Sequence, residues 1–251
     1  MEKTHLLPVD DFLQYFDVAL ASTPEQKQQV YRIRYNVYCE ELKFEPAECF
    51  PDREESDEFD PQSLHCLITH KSSRMPAGCA RLIPPAGPCR QGHLPFEKHC
   101  SGGLDKAFLD KLEGDRHTVC ELSRLAVEVP FRRSRGAGKP RPFDVEGLDC
   151  SRQERRTFGL TPVACAVSVI ALASLTGRPD AFCITEPFLA KYLRRFGLNA
   201  QRIGQEIYHR GWRAPYFIHS EGVRETAPAD LRDLYDAIFE RMKQDLSTAT
   251  L

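Results

Sequence analysis

One segment near the middle of the chain constrains the fold most, because it joins an apolar run to a basic, glycine-rich turn. Residues 117–127 form the apolar run, which carries an acid, Glu121, and a base, Arg124, three positions apart. Arginines and glycines crowd residues 132–138 directly after it. This pattern predicts a central strand that ends in a polar loop. Simple alternation puts Glu121 and Arg124 on opposite faces of the strand, and a β-bulge between them would change that.

Strand-like and helix-like segments alternate along the rest of the chain. Their alternation predicts an α/β (α+β) fold, with a mixed, twisted central sheet flanked by helices. We expect residues 1–251 to form a single domain with a long inserted loop at about 139–159. The predicted strands cover residues 14–20, 64–70, 77–83, 117–127, 181–185, 205–209 and 215–219. The predicted helices cover residues 24–42, 104–112, 161–177 (capped by Thr161), 187–196 and 228–246.

The net charge of −2 conceals an uneven distribution of charge along the chain. Residues 1–60 contain 15 acidic and 6 basic side chains, a balance of −9, whereas residues 124–213 contain 8 acidic and 16 basic, a balance of +8. Two solvated faces of opposite sign would explain this. A basic docking surface for an acidic partner or a phosphate-bearing ligand would explain it equally well. Nucleic acid is a weaker candidate, because no nucleic-acid-binding motif accompanies the basic residues.

Several common classes of site and location are disfavoured by the sequence. The ten cysteines include no CxxC pair, and no histidine pair has metal-ligand spacing, so we expect no metal site. The N-terminal residues lack the features of a signal peptide. The apolar run at 163–175 is too short to span a bilayer, so we expect no transmembrane segment. These features predict a cytoplasmic protein with reduced thiols.

A second group of candidate residues lies upstream of the central strand. Arg34 and Tyr38 are four positions apart on a predicted helix and therefore share a face. Phe44 follows that helix, and Asp57 and Asp60 are spaced so that both could approach one cation. The alternative is that Arg34 is a surface residue and that the two acids are solvated.

These residues, taken in order, resemble the signature of the autoinducer synthases, which make N-acyl-homoserine lactones and have the GNAT acyltransferase fold. The resemblance covers residues 31–127 and thins beyond Val127. It implies a reaction centre at Glu121, Ser123 and Arg124. The residues implied for the acceptor site and its charge network are Arg34, Tyr38, Phe44, Asp57, Asp60 and Arg81.

Two departures from that pattern place the acceptor in doubt. Phe44 stands where the family usually has Trp, and the chain adds the 139–158 loop and a distinctive segment from Tyr208 to Tyr216. Those features are more similar to relatives that acylate amino acids, and most similar to the acyltransferases associated with PEP-CTERM/exosortase systems.

The resemblance also implies the chemistry and the donor. Glu121 would take a proton from the acceptor amine, and backbone N–H groups at a bulge would bind the oxyanion. The donor would be a fatty acyl thioester on acyl carrier protein, with acyl-CoA as the alternative, and no tightly bound cofactor is implied. The donor would contact Leu125, Val127, Arg132, Arg133, Arg135, Gly136 and Gly138.

Four functions remain open on the sequence. The first is an N-acyltransferase that joins a fatty acyl group to the amine of an amino-acid-like acceptor. The second is an acyl-homoserine-lactone synthase that uses S-adenosylmethionine, and the third is an acyl-CoA-dependent N-acyltransferase. The fourth, a non-catalytic module that binds acyl carrier protein, has no evident need of the charged residues.

Overall fold

Eight strands form one sheet in the computed structural model, which describes residues 9–85, 93–100, 103–132 and 150–249. The sheet order is β1-β2-β3-β4-β5-β8-β6, and β7 pairs with β8. β4 and β5 run parallel, and the other pairs are antiparallel, which confirms the predicted mixed sheet. The strands are β1 (Phe16–Leu20), β2 (Leu64–His70), β3 (Pro76–Ile83), β4 (Val119–Val127), β5 (Asp180–Thr185), β6 (Gln201–Arg202), β7 (Ile207–Tyr208) and β8 (Trp212–His219).

Helices cover both faces of this sheet. α6 and α9 bury the main apolar core against one face of β1 to β4, and α2 packs on the opposite face of β2 to β4. A separate apolar cluster joins α3 and α4 to β5 and β8. The described helices are α1 (Val9–Tyr15), α2 (Pro24–Tyr35), α3 (Pro95–Cys100), α4 (Lys106–Glu113), α5 (Arg152–Thr157), α6 (Thr161–Leu175), α7 (Pro187–Arg194), α8 (Val223–Thr226) and α9 (Ala229–Thr248).

The helical stretch Arg152–Leu175 is long and apolar enough to cross a membrane by length and composition alone. However, 78% of its apolar window is buried inside the protein. Gly78 of β3 explains how α6 approaches the sheet so closely. A Cβ atom at Gly78 would lie 3.1 Å from Cys165 Sγ and from Thr161 Cγ2. This stretch therefore forms the central core helix.

The pairing of β4 sets the geometry around Glu121, Ser123 and Arg124. β4 pairs with β5 only from Val119 to Glu121, although both strands continue further, so a wedge opens between them beyond Glu121. On its other side, β4 contains a bulge. Arg81 pairs with Ser123 whereas Cys79 pairs with Ala126, so β4 has one extra residue there. Arg124 adopts a left-handed conformation at this bulge, with φ of 53°.

Four local predictions need correction. The predicted strand at 14–20 begins at Phe16, because α1 extends to Tyr15. The predicted helix 24–42 is α-helical only to Tyr35 and continues as a π-helix, Asn36–Glu41, in which the Leu42 amide donates to the Val37 carbonyl. The predicted cap at Thr161 is wrong, because helical structure already begins at α5, where Ser151 and Glu154 form a capping box.

The end of the predicted 139–159 loop also differs, since α5 and a short 3₁₀ turn occupy residues 152–160. The rest of that predicted loop, up to residue 149, lies outside the described residues.

Candidate active site

Three arginines and three carboxylates form a buried cluster between α2, the 46–63 loop and the β3–β4 pair. Arg34 grips Asp60 with two hydrogen bonds, of 2.6 and 3.0 Å, and its Nε donates to Glu55. One Arg81 nitrogen, Nη1, donates to Asp57 at 2.6 Å and to Asp60 at 2.7 Å. The paired contact between Arg34 and Asp60 is the strongest geometry available to a guanidinium and a carboxylate.

The bulge in β4 completes the cluster. Arg124 donates from Nε to Glu55 at 3.2 Å and from Nη2 to Asp57 at 3.0 Å. Ser123 accepts a 3.1 Å hydrogen bond from Arg81 Nε, so Arg81, Ser123 and Arg124 all lie on one side of the sheet. Glu121 is two residues before Ser123 and therefore faces the same side. The bulge thus places Arg124 on the same face of the sheet as Glu121.

The cluster compensates its own charge. Three guanidinium groups balance three carboxylates, and buried charges persist when they are paired in this way. Burial alone would raise the pKa of Asp60, but Arg34 and Arg81 hold it well below its usual range. Burial lowers the pKa of the adjacent His65 to about 4, so this buried imidazole is neutral and leaves the balance unchanged.

Glu121 stands apart from these ion pairs. Its side chain is buried, and among the described residues only the Phe96 amide donates to it, at 2.8 Å to Oε2. No arginine of the described ranges forms an ion pair with Glu121. Burial raises the pKa of Glu121 to about 7, against the Phe96 hydrogen bond and the charges of Arg81 and Arg124. A carboxyl group with this pKa exchanges a proton readily at neutral pH.

Aromatic side chains line the next part of the site. The Tyr38 hydroxyl donates to the Leu125 carbonyl at the bulge, at 2.9 Å. The Tyr38 and Phe44 rings are stacked, with their centroids 6.5 Å apart, and the Arg124 guanidinium lies 5.8 Å from the Tyr38 centroid. Burial raises the pKa of Tyr38 to about 12, so the hydroxyl stays protonated and remains a donor. Tyr38 therefore fixes the bulge from the opposite side of the cluster.

The residues predicted to bind the donor are only partly described. Leu125 is half-buried at the bulge, and Val127 is buried at the end of β4. Arg132 is paired through both of its terminal nitrogens with Glu41 of the π-helix. The remaining four predicted positions, Arg133, Arg135, Gly136 and Gly138, lie outside the described residues.

A separate group of metal-type side chains lies at the far end of β2. The ligand atoms of His70, Cys150 and Glu154 are all within 4.8 Å of one another. His70 Nε2 lies 2.7 Å from Glu154 Oε1, and His70 Nδ1 lies 2.8 Å from Ser73 Oγ, so both ring nitrogens already have partners. No sequence spacing could indicate this group, because its members are far apart in the chain. In this arrangement the three side chains tie α5 to the turn after β2.

Comparison with known protein families identifies the domain. Residues 33–138 match the model of the acetyltransferase (GNAT) domain, a range that contains the charge cluster, the bulge and Glu121. The chain has a GNAT-like fold, and the matched range covers its charge cluster and bulge. No curated protein sequence matches the chain.

Solved structures show a similar fold. TofI, in a ternary complex with an inhibitor and MTA, superposes with a TM-score of 0.56 at 19% identity, covering 88% of this chain and 99% of TofI. BjaI, a CoA-dependent acyl-homoserine lactone synthase solved with SAM and isopentyl-CoA, gives 0.53 at 18% identity and covers 89% of both chains. FeeM, an N-acyl amino acid synthase from uncultured soil microbes, gives 0.56 at 13% identity, covering 84% of this chain and 94% of FeeM.

Sequence reasoning about the GNAT site missed several residues. Glu55 is one of many acids in the 46–63 loop, and no pattern distinguishes it, although it bridges Arg34 and Arg124. Phe96 acts through its backbone amide, which leaves no trace in the side-chain pattern. Arg213 lies far along the chain, yet its guanidinium is 5.2 Å from the centroid of the Phe44 ring.

Proposed function

We propose that this GNAT domain transfers a fatty acyl group from an acyl carrier protein thioester to the amine of an amino-acid-like acceptor. The observation that carries the proposal is Glu121, a buried carboxyl group with a pKa of about 7 where β4 and β5 separate. Nothing in the packing of the strand requires an acid at this buried position. An acyltransferase acting on a protonated amine does require one.

The chemistry balances with Glu121 as the base. Its carboxylate accepts a proton from the ammonium group of the acceptor, and the neutral amine attacks the thioester carbonyl carbon. As the tetrahedral intermediate collapses, its nitrogen loses its extra proton, the C–S bond breaks and the C–N bond remains as the amide. The departing sulfur takes up that proton and leaves as the thiol, and Glu121 releases to solvent the proton that it first accepted. Backbone N–H groups at the bulge would stabilise the oxyanion.

The charge cluster supports this chemistry by fixing positions. Arg34, Arg81 and Arg124 are all engaged by carboxylates, so Asp57 and Asp60 serve the arginine network instead of holding a cationic acceptor directly. The cluster holds the bulge and Ser123 in place beside Glu121. A rigid, neutral framework of this kind preserves the geometry that the reacting groups need.

The surroundings of Phe44 favour an amino acid over S-adenosylmethionine as the acceptor. A sulfonium group binds well against a free aromatic face. Here, Arg213 and Tyr38 already lie against the Phe44 ring. The segment that forms the hairpin with Arg213 is also one of the sequence features by which the chain resembles the acyltransferases of PEP-CTERM/exosortase systems.

An acyl-homoserine-lactone synthase is the second candidate. The residues of the cluster and the fold shared with TofI and BjaI favour it. The donor in that case would be acyl carrier protein or acyl-CoA, as in the first proposal. The two candidates differ in the acceptor and hence in the mass of the product.

Mass spectrometry of lipid extracts from cells that express the protein tests this proposal. We expect N-acyl amino acids with the wild-type chain and none with Glu121→Gln. Glu113→Gln, at an exposed position at the end of α4, is the matched control and should leave the products unchanged. An N-acyl-homoserine lactone as the main product, dependent on S-adenosylmethionine, would favour the second candidate. N-acyl amino acids undiminished in a folded Glu121→Gln variant would remove Glu121 from the mechanism.

A further inference from the structure

The hairpin of β7 and β8 carries Arg213 to the open end of the gap between β4 and β5. Arg210 and Gly211 form its turn with φ values of 52° and 105°, a left-handed region in which glycine is strain-free. β8 then pairs with β5, and Ala214 lies opposite Thr185, the last residue of β5. Arg213 directly precedes Ala214. It is therefore located where β5 has left β4 and the site opens.

Arg213 differs from the other site arginines in its partners. Within the described ranges, no carboxylate lies within ion-pair distance of its guanidinium, and its buried Nε has no hydrogen-bond partner. Its neighbour Arg210 is paired with Glu45, which ties the hairpin to the segment after the π-helix. The hairpin is thus anchored by one arginine while the second remains without a counter-ion.

The electrostatics of the site make this unpaired charge significant. The cluster of three arginines and three carboxylates sums to zero, so it does not neutralise Arg213. Burial lowers the pKa of Arg213, Tyr38 and Glu186 oppose this effect, and the charge of Arg124 lowers the pKa further. A half-buried cation beside a second cation is costly unless an anion binds there. The surroundings of Arg213 therefore favour the binding of an anion.

We propose that Arg213 binds the carboxylate of the acceptor, an inference that rests on the proposed acyl transfer to an amino-acid-like amine. Arg213 lies over the Phe44 ring, Arg124 lies over the Tyr38 ring that stacks with it, and Glu121 is on the same face of the sheet as Arg124. In the proposed complex the acceptor presents its amine to Glu121 and its carboxylate, one carbon atom away from the amine, to Arg213. The planar guanidinium matches a carboxylate through two parallel hydrogen bonds.

The phosphate of the donor's pantetheine arm is the other anion that could reach an arginine here. The position of Arg213 against Phe44, and beside Tyr38, favours the acceptor side of the site. The two sources are distinguishable by kinetics. Loss of a carboxylate contact raises the KM of the acceptor, whereas loss of a phosphate contact raises the KM of the donor.

The test compares acceptors with and without a carboxylate, using Arg213→Met, Arg213→Lys and the wild type. The probes are glycine, L-leucine and L-glutamine with their carboxamides, and S-adenosylmethionine with its decarboxylated form. Trp212, the single tryptophan and the neighbour of Arg213, reports binding by fluorescence without any acyl transfer. Arg202→Met is the matched control, because Arg202 is exposed and paired with Glu206.

We expect wild-type protein and Arg202→Met to bind at least one carboxylate probe about tenfold or more tightly than the matched probe that lacks the carboxylate, as a charge-assisted contact implies. Arg213→Met should reduce that ratio to near one and raise the acceptor KM with little change in kcat. Arg213→Lys should retain part of the preference. Circular dichroism of each variant confirms that it has folded.

Three results would overturn the role of Arg213. They are an undiminished carboxylate preference in Arg213→Met, no preference in the wild type for any probe pair, and a rise in the donor KM alone. Failure of the proposed function is a separate result. In that case mass spectrometry would show no acylated amino acid with the wild type, while the S-adenosylmethionine pair would still test Arg213.

Discussion

Glu121 and Asp60 are buried carboxyl groups in the same site, and their surroundings drive their pKa values in opposite directions. Asp60 accepts hydrogen bonds from two arginines, which keep it ionised. Glu121 accepts one backbone amide and is otherwise desolvated, so it holds a proton far more strongly. Such a divergence separates structural carboxylates from those that exchange protons. The sequence identifies Glu121 and Asp60 as candidate site residues, but it does not show which groups donate to each carboxylate, and those donors decide how strongly each one holds a proton.

The pH dependence of Glu121→Gln is the first prediction. Activity of the wild type should rise with pH through about 7 as Glu121 loses its proton, and Gln should remove about 100-fold or more of kcat/KM. The variant should stay folded, because the Gln carbonyl can still accept from the Phe96 amide. A pH–rate profile of both proteins with a saturating donor measures this. A wild-type profile that is flat across neutral pH would exclude Glu121 as the base.

Stability provides an independent check on Glu121. Its pKa is raised from 4.5 to about 7 in the folded protein, so the folded state binds the proton more tightly than the unfolded chain. The free energy of unfolding should therefore fall as the pH rises from 4.5 through about 7. The contribution of Glu121 to this fall is about 3 kcal/mol. Glu121→Gln should lack this loss and be at least as stable as the wild type at alkaline pH. Chemical denaturation at several pH values measures the difference.

Asp60→Asn should destabilise the protein much more than Asp57→Asn does. Both acids lie in a polar loop, but the Asp60 side chain is only 3% exposed and bonds two arginines. Its neutralisation leaves buried positive charge uncompensated, at a cost of about 3–5 kcal/mol. Asp57 is 23% exposed, so its loss should mainly affect the bulge and activity. Urea denaturation of the two variants, matched in chemistry, tests this order of stability.

Among the elements of the fold, local signals predicted most of the strands and the start of α2 well. The β4 bulge could be inferred only as a requirement, because nothing in the residues between Glu121 and Arg124 reveals it. The π-helix was not predicted. This π-helix carries Tyr38, whose hydroxyl donates to the Leu125 carbonyl across the site. The predicted cap at Thr161 is wrong because helical structure already begins at α5, where Ser151 and Glu154 form the capping box. The sequence predicts a loop at these residues.

Gly78 tests how the core helix is seated on the sheet. Gly78→Ala would place a Cβ atom 3.1 Å from the Ala126 carbonyl oxygen and from two α6 side chains, closer than ordinary contact. We expect a loss of about 1–3 kcal/mol, as for other overpacked cores. Gly222→Ala is the control, because no neighbouring atom lies within 4 Å of its added Cβ atom, and it should change stability by less than about 0.5 kcal/mol. Thermal unfolding of both variants gives the comparison, and equal melting temperatures would contradict the close-contact argument.

For the whole molecule, the sequence predicted the fold class, because the motif residues lie in an order that the GNAT fold requires. It could not predict which charges remain available for a partner. Within the basic region, Arg124, Arg132, Arg202 and Arg210 are paired with acids of the same chain. The charge balance of +8 over residues 124–213 therefore overstates the basic surface. Exposed basic side chains such as Arg156 on α5 are better candidates to meet a carrier protein.

The salt dependence of donor use is the prediction that belongs to this scale. If the donor is acyl carrier protein, whose surface is acidic, then Arg156→Glu should lower kcat/KM for acyl carrier protein several-fold at low salt. It should leave kcat nearly unchanged, because rim charges act mainly on association. High salt should remove the difference between Arg156→Glu and wild type, since exposed charges are screened over about 10 Å or less.

Lys243→Glu, on the exposed side of α9, changes the net charge equally at a position far along the chain from the basic region, and it is the matched control. Initial rates with acyl carrier protein and with acyl-CoA, each at several ionic strengths, separate the possible donors. If the docking surface is specific, Arg156→Glu should lower kcat/KM for the carrier-bound donor, and Lys243→Glu should change kcat/KM for neither donor. Equal use of both donors, without salt dependence, would contradict the carrier and leave acyl-CoA as the donor, because a small thioester does not need the basic surface.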